Sequence, residues 1–158
     1  MSIEPRELRD ALGRFTTGVC LITTVTQQRT PLAMTANSFS SVSLDPPLVL
    51  WSLQENSDVY DVFAGARYFN INVLALEQQA LSTQYARKGQ HEIERAHYRD
   101  GKCGAPVIRD ALVNFECEQE ATYDGGDHLI IVGRVLDVQQ RPSGDPLLFF
   151  SGGYREIR

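Results

Sequence analysis

The sequence predicts a mostly β chain: an antiparallel barrel of six or seven strands with two or three helices set between them. Three observations point there. Short runs rich in Val, Ile, Thr and aromatic residues follow one another in meander order. A Gly-rich turn, Asp124-Gly125-Gly126-Asp127, joins the last two long runs as a hairpin. The helical patterns are short and unevenly placed, unlike the regular strand–helix alternation of a doubly wound sheet.

Taken in order, the first element is a helix. Pro5 suits a first helical turn, and Leu8, Ala11, Leu12 and Phe15 recur at helical spacing until Gly18 breaks the pattern. Val19 to Thr26 reads as a strand, Gln27 to Pro31 as a polar turn, Leu32 to Phe39 as a second strand and Pro47 to Leu53 as a third. Ser57 reads as an N-cap with Asp58 in the first turn, followed by an apolar helical face of Val59, Val62, Phe63 and Ala66. Tyr68 to Leu74 alternates as a strand. Leu76 to Arg87 holds good helix formers and no strand period, and Gly89 stops it. Lys88 to Gly104 is polar and irregular, the pattern of a long surface loop. In Ala111 to Ala121, Val113, Phe115, Cys117 and Ala121 point one way, while Asn114, Glu116, Glu118 and Glu120 point to solvent. Leu129 to Val138 is the partner strand, and Leu147 to Phe150 the last.

Composition narrows the function classes. The 158 residues are 42% hydrophobic and 22% charged, which suits one globular domain spanning 1–158 and excludes disorder, collagen and coiled coil. Fifteen Lys and Arg face 20 Asp and Glu, a formal charge of −5, so nucleic acid and anionic membranes are not expected partners. No apolar run approaches the ~20 residues of a membrane span, and MSIEPRELRD has no apolar core of a secretory signal. Cys20, Cys103 and Cys117 are odd in number and lack CxxC spacing, so the expected compartment is the reducing cytoplasm.

Several chemistries fail on spacing. Glu94 and His97 stand at i, i+3, but a di-iron site needs a second such pair and two more Glu. The run after His91-Glu92 does not complete HExxH, and neither GxGxxG nor GxxxxGK[ST] is present. His91 therefore reads as part of a solvated loop. Two stretches remain. Met34 to Pro47 gathers small hydroxyl and amide residues where a strand gives way to an extended turn. Its backbone N–H groups, with Thr35, Asn37 and Ser38, suit either an anion cradle or an ordinary turn. Gly126-Asp127-His128 places a histidine at the start of a strand, either as a structural cap or facing an opening.

Together these landmarks resemble the flavin reductase family, the FMN-binding split-barrel proteins that include reductase components of two-component flavin monooxygenases. The resemblance runs from Thr17-Gly18-Val19 and Thr23-Thr24 through MTANSFSSVSLDPPLVLWSL, Asn56-Ser57 and FNINVL. It resumes at Gly126-Asp127-His128, Gly133-x-Val135 and Pro146-Leu147-Leu148, and closes at Gly153-Tyr154. It implies a six-stranded antiparallel Greek-key split barrel with flanking helices, forming a homodimer. It also implies an NAD(P)H:flavin oxidoreductase that moves hydride from NADH or NADPH to FMN or FAD and supplies reduced flavin to a partner monooxygenase. A tightly bound flavoprotein passing electrons to ferric iron or another protein, or a non-catalytic flavin- or haem-binding module, shares the same cradle.

By position, the resemblance assigns the flavin phosphate and ribityl chain to Thr35, Ala36, Asn37 and Ser38. It assigns the isoalloxazine side to Ser52, Leu53, Asn56 and Ser57. Tyr85 and Lys88 match a position that reaches the phosphate, His128 one facing the nicotinamide and Tyr154 one near the ring. The chain departs from the family at Ala33, where Gly is usual, along Gln90 to Gly104, and in its Ser151-Gly152-Gly153-Tyr154 tail, where many relatives carry an Arg.

Overall fold

The computed structural model describes residues 1–158. Helix α1 (Pro5–Leu12) is followed by β1 (Thr17–Gly18), β2 (Cys20–Val25), β3 (Pro31–Ala36), β4 (Ser40–Leu44) and β5 (Pro47–Gln54). Then come α2 (Tyr60–Ala64), β6 (Tyr68–Val73), α3 (Gln79–Tyr85), β7 (Tyr98–Asp100) and β8 (Pro106–Ile108). The chain ends with β9 (Val113–Gly125), β10 (His128–Gln140), β11 (Leu148–Phe150) and β12 (Gly153–Arg155).

Seven strands form one sheet in the order β3-β2-β6-β9-β10-β5-β4, with every neighbouring pair antiparallel. One apolar cluster draws Ile22 from β2, Leu32 from β3, Trp51 from β5, Ile71 from β6, Cys117 from β9 and Ile131 from β10. Side chains from opposite ends of a sheet meet only where the sheet curls around them. No ladder joins β3 to β4, so the barrel is split along that seam.

Local chemistry accounts for the long strands. β2 is buried along five of its six residues, which favours its Ile and Thr content. The β9–β10 turn is the two residues Gly126 and Asp127, tighter than the four-residue signal suggests, and Gly126 sits at φ 74°, where glycine is favoured. At Gly133 a Cβ would come within 2.6 Å of the Phe69 ring, so only glycine lets β10 pass so close to β6.

The structure corrects the sequence expectations in three places. The sheet has seven strands rather than six, because the serine-rich segment after Phe39 is β4, its alternation broken by a bulge between Ser41 and Ser43. The segment after Lys88 is not a solvated loop. Ala33 N–H donates to the His91 carbonyl at 2.8 Å and Ile93 N–H to the Pro31 carbonyl at 3.0 Å, so residues 91–93 line the open edge of β3. His91 and Ile93 are consequently buried.

The polar face of β9 is not all solvent-facing either. Asn114 and Glu116 are buried because β8 and the chain before it cover that face. Asn70 donates there to the carbonyls of Ala105 and Pro106, both at 2.9 Å. Outside the barrel, α1 buries none of its residues and leaves Leu8, Leu12 and the following Phe15 exposed.

Candidate functional site

A cleft of about 270 Å³ opens where β3, the end of β5, the segment before α2 and the end of α3 meet. Met34 and Thr35 come from β3, Gln54 from β5, and Asn56, Ser57 and Asp58 from the segment before α2. Tyr85, Ala86, Lys88 and His91 close the opposite wall. Five of the residues assigned from sequence, Thr35, Asn56, Ser57, Tyr85 and Lys88, are thus brought together from positions up to 53 apart. A larger cleft of about 520 Å³, beside Arg29, Arg67 and Cys103, contains none of them.

Charge in the cleft is organised around Asp58. One carboxylate oxygen accepts the Gly89 N–H at 2.7 Å, and the other lies 2.8 Å from His91 Nε2. Burial alone would raise this carboxyl's pKa. The Gly89 N–H and the charge and hydrogen bond of His91 outweigh that effect and hold it below the ordinary carboxylate range. The other nitrogen of His91, Nδ1, lies 2.9 Å from the Ala33 carbonyl. Lys88, exposed and in no ion pair, is the lysine of the cleft.

The hydroxyls expected to form an anion cradle are mostly committed to the protein. Thr35 Oγ1 donates to the Ser82 carbonyl at 2.7 Å, fastening β3 to α3. Ser38 Oγ accepts the Ser52 N–H and donates to the Ser52 carbonyl, so both residues of that pair serve the seam. Ser57 Oγ accepts the Val59 N–H at 3.3 Å, but the helix starts only at Tyr60 with Val59 in the cap position, so Ser57 is not its cap. Tyr85 is fully buried; its hydroxyl meets His97 Nδ1 at 2.7 Å and accepts the Glu94 N–H at 3.1 Å. Expected at the phosphate, that hydroxyl is turned instead toward the 94–97 segment.

Other expected residues lie outside this cleft. Leu53 is fully buried in the barrel core, since alternation along β5 points it inward with Val49 and Trp51. Ala36 pairs with Cys20 at the end of β3. Asn37 opens instead onto a neighbouring groove of about 280 Å³ with Phe15, Thr17, Gly18 and Phe39. Tyr154 packs edge-on against Phe149, and its hydroxyl shares a 2.7 Å hydrogen bond with Ser82 Oγ. It therefore braces α3 from behind the cleft.

His128 begins β10 directly opposite Gln54 in the ladder, beside the cleft mouth. Its Nδ1 lies 2.6 Å from Asp127 Oδ1, and the Glu55 N–H donates to the Asp127 carbonyl at 3.0 Å. The hairpin tip is thereby tied to the segment that carries Asn56.

Sequence reasoning missed Asp58 and His91 as a pair. Their 33-residue separation leaves no local signal. Ile93, an apolar residue inside a polar run, was the one hint that the segment is pinned down.

The molecule is an antiparallel split-barrel protein in which residues from β3, β5 and α3 line one polar cleft. Sequence comparison makes this specific: the chain belongs to the flavin reductase like domain family, whose pattern matches residues 12–158. It is 46% identical over 149 residues to the FMN reductase (NADH) SmoA of Agrobacterium fabrum, an alignment covering 94% of this chain and 84% of that protein. It is 33% identical over 156 residues to the flavin-dependent monooxygenase reductase subunit HsaB of Rhodococcus jostii, covering 99% of this chain and 80% of that one. Among solved structures, BorF, the flavin reductase component of a bacterial two-component tryptophan halogenase, superposes with a TM-score of 0.90 at 37% identity over 98% of both chains.

Proposed function

We propose that residues 1–158 act as one NADH-dependent flavin reductase unit that binds FMN by its phosphate end in the cleft of Lys88, Asn56 and Ser57. The observation that carries this reading is Lys88, which forms no ion pair, in a polar cleft whose lining residue Gln54 lies opposite His128 in the ladder. The cleft's volume is small beside whole-ligand pockets, which suits the polar tail of a flavin rather than its ring system. FAD is the alternative flavin and NADPH the alternative donor; the name of the 46% identical relative favours FMN and NADH.

When bound, the flavin supplies hydride acceptance from the nicotinamide. What remains for the chain is alignment and exclusion of water. Lys88 offers a charge-assisted contact to the phosphate, and the Asn56 amide offers a further donor. Fixed by Asp127 at the hairpin tip, the His128 ring orients the nicotinamide at the cleft mouth.

Reduced flavin leaves for a partner monooxygenase in this reading, in keeping with the reductase-subunit name of the Rhodococcus jostii relative. A homodimer is also proposed. Exposed Leu8, Leu12 and Phe15 beside α1, Val42 and Leu44 on β4, and Leu136 and Val138 on β10 leave apolar surface that a second copy can cover. A cytoplasmic location is proposed as well, since Cys20, Cys103 and Cys117 are all free.

The test is direct. The purified chain is expected to oxidise NADH only when FMN or FAD is added, and to sediment as a dimer at micromolar concentration. NADH oxidation that is independent of added flavin, with no flavin in the visible spectrum, overturns the reductase reading. A monomer with full turnover overturns the dimer.

A further inference from the structure

We propose that His91 is a positioning residue that makes the cleft select phosphorylated flavins, acting as an imidazolium that holds the Lys88 segment in place and offsets the charge of Asp58. The proposal rests on the flavin-site reading above and deepens it.

The argument begins with donors and acceptors. His91 is 8% exposed, and each ring nitrogen faces an acceptor: Nδ1 the Ala33 carbonyl at 2.9 Å, Nε2 the Asp58 carboxylate at 2.8 Å. A neutral imidazole has one N–H, so it can satisfy only one of these partners; the imidazolium satisfies both. A buried polar atom left facing another lone pair is costly, which favours the doubly protonated ring in this geometry. Its backbone is fixed as well, because its carbonyl accepts the Ala33 N–H at 2.8 Å.

Two consequences reach the cleft. The first is mechanical. His91 grips β3 on one side and Asp58 on the other, and Asp58 grips the Gly89 N–H at 2.7 Å. Lys88 is adjacent to Gly89, so the Ala33–His91–Asp58–Gly89 chain of bonds sets where the lysine stands. The second is electrostatic. With a charged ring the cleft carries one net positive charge from Asp58, Lys88 and His91; with a neutral ring it carries none. Tyr85 from α3 is the remaining titratable group lining the cleft, its hydroxyl bonded elsewhere, and β3 contributes only uncharged Met34 and Thr35. A phosphate ester senses that difference; riboflavin, with no phosphate, does not.

The experiment measures dissociation constants of FMN and riboflavin by flavin fluorescence, from about pH 5.5 to about pH 9, for the wild type, His91→Gln and Asp58→Asn. In the wild type, FMN affinity is expected to fall about tenfold as pH rises, while riboflavin affinity stays level. FMN's own phosphate gains charge near pH 6, which acting alone strengthens binding on the way up, so the fall has the opposite sign. At low pH, His91→Gln is expected to reduce the FMN-to-riboflavin preference by about tenfold and to flatten the profile. In Asp58→Asn the introduced amide N–H can serve a neutral ring, so the FMN profile flattens with FMN binding retained at high pH. If His91→Gln does not fold, the wild-type and Asp58→Asn profiles decide alone. An FMN-to-riboflavin ratio that does not change with pH in the wild type, or that keeps its wild-type slope in the variants, overturns the inference while leaving the flavin site standing. A wild type that binds neither flavin overturns both.

Discussion

The hydroxyl of Ser38 holds the backbone of Ser52 at both ends, accepting its N–H at 2.9 Å and donating to its carbonyl at 3.2 Å. This pair bridges the seam of the split barrel, where the chain leaves β3 and no ladder joins β3 to β4.

Ser38→Ala is therefore expected to destabilise the fold by about 1–3 kcal/mol, two modest hydrogen bonds, lowering the melting temperature by about 3 to 10 °C. FMN and riboflavin affinities should fall by the same factor. A selective loss of FMN, measured by fluorescence titration, would instead return Ser38 to the phosphate.

Lys88→Met should raise the FMN dissociation constant about tenfold, the worth of one charge-assisted contact at an exposed site, and leave riboflavin unchanged. Because Lys88 is exposed and forms no ion pair, its melting temperature should stay within about one degree of wild type. Isothermal titration with the two flavins, alongside a thermal melt, checks both statements.

His128→Ala should slow flavin reduction at saturating NADH by about ten- to a hundredfold through misalignment, with FMN affinity near wild type. The ring is 38% exposed at a hairpin tip, so little stability should be lost. Stopped-flow reduction separates the two roles. An early melt with a normal reduction rate would make His128 a cap of the turn.

Glu116 and Asn70 are cross-strand partners buried beneath the Gly101–Pro106 segment. Glu116 Oε1 accepts the N–H groups of Lys102 and Cys103, while its Oε2 and Asn70 Oδ1 have no partner. Glu116→Gln keeps the acceptor, removes a buried charge and adds a donor within reach of Asn70. Its melting temperature is expected to equal or exceed the wild type's. Glu116→Ala, which leaves two N–H groups unpaired, should melt several degrees lower. Differential scanning calorimetry of the two variants is the check.

Much of the fold was legible because it is written in short-range patterns. The β9–β10 hairpin follows from Gly126 and from runs of alternating residues on either side. β2, β5 and β6 follow from β-branched and apolar runs bounded by turns. β4 was hidden because Ser40, Ser41 and Ser43 carry no strand signal of their own; pairing with β5 supplies what propensity does not. Glu116 was misplaced for a related reason: alternation along β9 shows that it faces away from Cys117, but not that another segment covers that face.

The sequence by itself determined the class of fold and the landmark order, which rest on composition, periodicity and motif spacing, all local along the chain. That Lys88, Asn56, Ser57 and His128 share one region was implied only by the family resemblance. Only the tertiary structure decided which polar atoms remain for a ligand. Thr35, Ser38 and Tyr85 look available in one dimension, yet each hydroxyl meets a partner brought in from 9 to 47 residues away. His91, which reads as a loop residue, becomes buried between Ala33 and Asp58 because residues 91–93 dock on the open edge of β3. The reason is hydrogen-bond saturation: a buried donor or acceptor must find a partner, and which partner it finds is fixed by packing rather than by neighbours in sequence.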